Sequence, residues 1–358
     1  MRILFIDLMS PIGHKNYNYG ILRALGEFDE VDLLIRENYL DLHDKHLNIN
    51  DISYIPDKYI PEMIISEYNN LALFKIGYRI RQFQCLKWIK KNFKLEKYDL
   101  IFFSSVDIIS FSIATRFLKQ RCVFVDHAIS DINYSLLKRI AWKNLSKKLE
   151  LIVLEPYIKE YMINEVGIRN KVWIIPHPLP KIQVKKNFDS LKDESKIIFA
   201  PSLSNDENFI RSIINCHEEI PENTKIIFKS KHFEVKLKKI EVYNSRITDE
   251  EYFDTMAKSS YILLPYDDKY NFKTSGILFE AAEMNLPILL QTNNTLKYYA
   301  DSYPDKIVTF NNVKDLLEIL NRDEENIKFT FVSHEKLLFD YSDKVISENI
   351  NRIIKNLS

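Results

Sequence analysis

The sequence predicts an α/β protein of two domains, each built on a parallel sheet with helices on both faces. Three observations carry this. The chain has 358 residues, enough for about two domains of ordinary size, each with its own core. Short, continuous β-branched runs alternate with helical patterns from the first residues onward, as in βαβ units whose strands are buried on both faces. Near the middle the alternation breaks once, at a proline-rich and then polar stretch, and afterwards resumes.

Taken in order, Arg2 to Leu8 reads as a strand, Tyr17 to Phe28 as a helix and Val31 to Ile35 as a second strand. Residues 36 to about 70 are less regular, broken by Pro56 and Pro61, before a long helical pattern from Leu71 to Phe93. Strands follow at Asp99 to Phe103, Arg121 to Asp126, Leu149 to Leu154 and Val172 to Ile175. Between them lie helices at Ile108 to Leu118, after Tyr134 and from Tyr157. From Pro176 to Lys196 the chain has linker composition, with Pro176, Pro178 and Pro180 leading into a Lys-, Asp- and Ser-rich run. The second series holds strands at Lys196 to Phe199, Lys225 to Phe228, Tyr261 to Leu264 and Pro287 to Leu290, and a helix at Gly276 to Asn285. Ser204 to Glu207 and Thr248 to Glu251 both read as capping boxes opening helices. This gives a first domain over 1–177, a linker over 178–195, a second domain over 196–340 and a final helix over 341–358.

Composition removes several function classes. Lys+Arg and Asp+Glu are each 50, so no net field gathers nucleic acid, and any basic site is local. Only 6 glycines occur, and none has the spacing of a dinucleotide fingerprint or a P-loop. Cys85, Cys122 and Cys216 are far apart and odd in number, which fits a reducing compartment and a cytoplasmic protein. The opening apolar run meets Asp7 too early for a signal peptide, and no apolar stretch reaches the roughly 18 residues of a membrane span. The histidines and cysteines form no ligand spacing, so no metal and no cofactor is expected.

The densest chemistry lies between Tyr261 and Leu290. A strand ends at Pro265, a polar loop follows, and Lys273, Thr274, Ser275 and Gly276 lead into a helix that carries Glu280 one turn in. Such a helix start offers unpaired N–H groups and positive dipole to a phosphate, with Glu280 placed for the two hydroxyls of a ribose. The same pattern is equally met by a capped helix that packs on a strand and binds nothing.

With the preceding Ile247 to Ser260, this segment resembles the donor-binding region of GT-B glycosyltransferases, above all the retaining family 4 type. The resemblance runs through most of the chain. It includes the first strand with its Pro11–Gly13 loop, the strand end at Asp126 and His127, and Ile174 to Pro178 at the crossover. It implies two Rossmann-like domains facing each other across a cleft, and a last helix that returns to the first domain. It also implies a nucleotide-sugar donor, UDP-linked, and a glycan or lipid-linked glycan acceptor in surface polysaccharide synthesis. By the same resemblance Glu280 holds the ribose, Ile247 lies in the nucleotide site, and Thr274, Ser275 and Gly276 cradle the diphosphate with Lys273 beside them. Lys229 and Ser202 then reach a phosphate, Gly13 lets backbone approach the donor, and His127 stands beside the transferred sugar as the catalytic residue. One departure stands out. The family's first glutamate falls at Phe272, which opens the alternative of a GT-B protein that has lost catalysis and serves as a binding or chaperone subunit; a nucleotide-sugar 2-epimerase, which shares the architecture, is a second alternative.

Two basic, aromatic-bearing stretches, 75–97 and 136–148, suit peripheral contact with an anionic membrane face. Each is also consistent with an amphipathic helix whose apolar stripe enters the core.

Overall fold

The computed structural model describes residues 1–8, 14–26, 30–37, 39–40, 47–59, 71–127, 129–182, 196–245, 247–292, 295–322 and 331–357. Two compact units are present: Met1–Pro178 with Phe272–Thr274 and Tyr341–Ser358, and Leu179–Asn271 with Ser275–Asp340.

The first unit is built on strands β1 (Arg2–Asp7), β2 (Glu30–Ile35), β3 (Asp51–Tyr54), β4 (Leu100–Ser105), β5 (Cys122–Val125), β6 (Leu149–Val153) and β7 (Val172–Ile174). Its helices are α1 (Lys15–Leu25), α2 (Leu71–Asn92), α3 (Ile108–Ala114), α4 (Leu136–Lys143) and α5 (Pro156–Glu160). The strands form one parallel sheet in the order β3-β2-β1-β4-β5-β6-β7. Because side chains alternate across a strand, the central strands feed two cores. Leu4, Ile6, Phe103 and Phe124 pack with Cys85, Leu86 and Ile89 of α2, Phe111 of α3 and Trp142 of α4. Ile3, Phe5, Phe102 and Val125 face the other way, onto Ile21 and Leu25 of α1.

The second unit repeats the plan with β8 (Lys196–Ala200), β9 (Thr224–Lys229), β10 (Val235–Lys236), β11 (Ile240–Tyr243), β12 (Tyr261–Leu264), β13 (Ile288–Gln291) and β14 (Ile307–Phe310). Its helices are α6 (Glu207–Asn215), α7 (Asp249–Lys258), α8 (Gly276–Glu283), α9 (Lys297–Ser302), α10 (Val313–Leu320) and α11 (Phe331–Asp340). The order is β10-β11-β9-β8-β12-β13-β14, all parallel except the two-residue β10. The chain ends in α12 (Asp343–Leu357), whose Ile346, Ile350 and Ile353 join the α1 core while Asp343 pairs with Arg23 at 3.0 Å.

Local chemistry explains the helix ends. Thr248 makes the complete capping box, its hydroxyl accepting from the Glu251 N–H and its own N–H donating to the Glu251 carboxylate. The box expected at Ser204 is not formed. Asp206 caps α6 instead, and Glu207, one residue later, accepts from the Ser230 hydroxyl at 2.9 Å. Asn285 ends α8 in the left-handed conformation, φ 54°, the place where a glycine is usual. Among the described residues no helix is long and apolar enough to cross a membrane.

Candidate functional site

In the second unit the carboxyl ends of β8, β9, β11 and β12 and the start of α8 bring together most of the residues singled out from sequence. Glu280 is half-buried one turn into α8, and the Tyr252 hydroxyl from α7 donates to its Oε2 at 2.5 Å. Burial and the adjacent Glu280 carboxylate push the Tyr252 hydroxyl well above its usual range, so it remains a donor at any working pH. Tyr252 therefore fixes the direction of the carboxylate.

Ser275 is the N-cap of α8, but its side chain makes no cap bond. Its hydroxyl meets the Tyr266 hydroxyl at 3.1 Å, and the Tyr266 hydroxyl also lies within hydrogen-bonding reach of Ser202 and Tyr270. Tyr266 is fully buried and stacks on Tyr270 at 3.9 Å. A residue type that normally satisfies the first helical N–H groups is thus held away from them, so the positive end of α8 lacks its own cap. Lys229, at the end of β9, extends its ammonium to the Ser245 carbonyl and over the Tyr243 ring at 4.6 Å. Asn205 donates to the carbonyls of Ala200 and Lys229 at 2.8 and 3.0 Å, tying the ends of β8 and β9 together. Ile247 is half-buried just ahead of the Thr248 cap.

In the first unit, His127 follows β5 and its Nε2 lies 3.0 Å from the Ser104 carbonyl. Since a carbonyl only accepts, Nε2 carries the proton and Nδ1 is the acceptor nitrogen. His14 stacks on the His127 ring at 3.7 Å, Tyr17 meets it edge-on at 4.8 Å, and His177 lies 5.6 Å from Tyr17. Burial lowers His14 and His177 to about 4 and, together with the neighbouring His14, takes His127 well below its usual value. All three are neutral near pH 7.

Phe272–Thr274 belong to this unit. Phe272 stacks on Tyr161 at 3.8 Å with the rings 18° apart, and its φ of 60° is left-handed. The position that the resemblance assigns to a sugar-contacting glutamate is therefore filled by a packed ring. The Lys273 carbonyl accepts from the Tyr157 hydroxyl at 3.2 Å.

Ser202, Lys229, Ile247, Ser275, Gly276 and Glu280 thus lie in the second unit, while His127 is in the first with Lys273 and Thr274. Gly13 lies outside the described residues. Sequence reasoning missed the tyrosines 243, 252 and 266, which stand at strand ends or on a helix and carry no spacing signal. The stacking of His14 on His127 was missed as well.

No family model matches the chain, and no curated protein sequence matches it. Solved structures do, at low identity and over nearly their full length. HepE from Anabaena, solved in complex with UDP and glucose, has 12% identity, a TM-score of 0.66 and coverage of 99% of this chain and 100% of its own. OtsA in its apo form has 10% identity and a TM-score of 0.67, with 99% of both chains covered. A glycosyltransferase from Rickettsia africae ESF-5 has 10% identity and a TM-score of 0.60, covering 99% of this chain and 98% of that one.

The chain has the GT-B fold. Its two seven-stranded, essentially parallel sheets are the two Rossmann-like halves of that fold. In such sheets ligands gather at the carboxyl ends of the strands, which is where the Glu280 and His127 constellations stand, each in its own half.

Proposed function

We propose that the protein is a glycosyltransferase that moves a sugar from a UDP-linked donor to a hydroxyl of a glycan or lipid-linked glycan in surface polysaccharide synthesis. The observation that carries the reading is the Tyr252–Glu280 pair on a helix whose N-terminus lacks its own side-chain cap. A carboxylate oriented by a tyrosine hydroxyl accepts from the two hydroxyls of a ribose, and a helix start without a side-chain cap favours a diphosphate. The UDP seen in HepE and the full-length match to it support the same reading.

In the chemical step the bond between sugar C1 and the diphosphate oxygen breaks, and a bond from C1 to the acceptor oxygen forms. The acceptor proton passes to the departing phosphate oxygen if configuration is retained, as we propose from the likeness to family 4. The charge that grows on the diphosphate is met by the start of α8 at Ser275 and Gly276, by Lys229 and by Lys273, without a metal. Lys229 leaves the Ser245 carbonyl for this role. His127 acts as a neutral group, its Nδ1 accepting from a sugar hydroxyl while Ser104 fixes the ring.

A thermal-shift panel of UDP-, GDP- and ADP-sugars tests the reading, because a ligand stabilises the fold in proportion to its binding. UDP-sugars are expected to raise Tm by several degrees, and no shift with any of them would remove it. Product analysis without an acceptor separates transfer from 2-epimerisation.

A further inference from the structure

The helices α2, α3 and α4 cover one face of the first sheet side by side, α2 against α3 and α3 against α4. Their inner faces supply the core. The tryptophans of this region are part of that inner face: Trp142 is buried against Phe124, and Trp88 packs between Tyr59 and Phe93. What faces outward is aliphatic. Leu136 is 73% exposed, Leu137 62%, Ile140 48%, Ile113 48% and Ile80 51%. Between α2 and α3, Ile80 and Ile113 line a groove of about 390 Å³ together with Phe83, Ile109, Arg79 and Lys87.

The charge on the same helices is one-sided. Their sequences hold nine lysines and arginines and no aspartate or glutamate, although the chain as a whole has 50 of each sign in 358 residues. An even spread would put about five carboxylates there. Asp107, the cap of α3, lies 3.6 Å from Arg79 and offsets that one cation. The Lys87 ammonium lies over the Phe83 ring, 4.6 Å from its centre. An anionic protein or a nucleic acid would answer the cations but leave the leucines and isoleucines in water. A bilayer with acidic headgroups answers both.

We propose that this face of the first unit docks on an anionic lipid bilayer, with Leu136, Leu137, Ile140, Ile113 and Ile80 entering the headgroup boundary. Lys87, Lys138, Arg139 and Lys143 then lie at the level of the lipid phosphates. The proposal stands apart from the donor reading, since none of these residues belongs to the Glu280 or His127 constellations.

Flotation of the full chain with vesicles of phosphatidylcholine containing about 30% phosphatidylglycerol tests it. Partition is expected at low salt, reduced at least tenfold on pure phosphatidylcholine or at about 0.5 M salt, where the charge term is screened. Each cation near an acidic surface contributes about a fivefold factor. Combined Arg139→Glu and Lys143→Glu should therefore cost about twentyfold or more. Combined Leu136→Asn, Leu137→Asn and Ile140→Asn should cost at least tenfold, and both variants, being changes at exposed positions, should keep the wild-type Tm. Absence of partition, equal partition onto neutral vesicles, or capture of an RNA duplex without vesicle binding would each overturn the proposal.

Discussion

The Tyr252 hydroxyl donates to Glu280 Oε2 at 2.5 Å, across from α7 to α8 in the second unit. A hydrogen bond to a charged group contributes about 1.5–3 kcal/mol when its removal leaves that group poorly held. Tyr252→Phe is therefore expected to weaken nucleotide binding about tenfold with little change in kcat. Kd and KM measured for the variant check this, and unchanged values would mean that Glu280 needs no orienting partner.

The three neutral histidines of the first unit set an acid limit on stability. His14 and His177 are lowered from 6.5 to about 4 by burial, and His127 is lowered in the same direction. The unfolded chain takes up these protons below its own value of 6.5, while the folded chain does not. Their contribution is thus complete above that pH and is lost as pH falls from there toward about 4. The slope is about 1 kcal/mol per pH unit for each histidine that stays neutral. Urea midpoints between about pH 7.5 and 5 should fall accordingly, and His14→Asn, which tolerates the left-handed backbone at that position, should flatten the slope.

Two glycines give opposite expectations. A Cβ on Gly20 would lie 2.0 Å from Pro178 Cβ and 2.5 Å from its Cγ, in a ring that cannot rotate away. Gly20→Ala is expected to cost about 1–3 kcal/mol. A Cβ on Gly77, inside α2, meets nothing within 4 Å, so Gly77→Ala should add about 0.5–1 kcal/mol from helix propensity. Thermal denaturation of the two variants should move in opposite directions.

At Phe272, replacement by the glutamate that the sequence resemblance expects there should remove the stack on Tyr161 rather than restore a function. Phe272→Glu is expected to lower stability by about 1–2 kcal/mol without raising turnover, which a Tm and a single rate measurement decide.

The βα alternation made the two sheets legible, because their strands are apolar on both faces and carry a distinct signature. β3, β10, β11 and β14 were not read, since they are short, lie at or near sheet edges and mix polar residues with apolar ones. Glu280 and the Ser275–Gly276 turn were legible as contiguous motif. Their tyrosine partners were not: Tyr252 and Tyr266 meet them only through the tertiary fold, and a tyrosine on a helix or at a strand end looks like core. The same holds for His14, whose partner His127 lies more than a hundred positions away. Ser204 misled because Asp206, two residues on, competes for the same cap and carries the stronger acceptor.

The most direct test of the donor site is calorimetric titration of UDP into the wild-type chain and into Glu280→Ala. The account predicts saturable binding by the wild type and at least a tenfold rise in Kd for the variant with Tm unchanged. No binding of UDP, or equal affinity in both proteins, would contradict it.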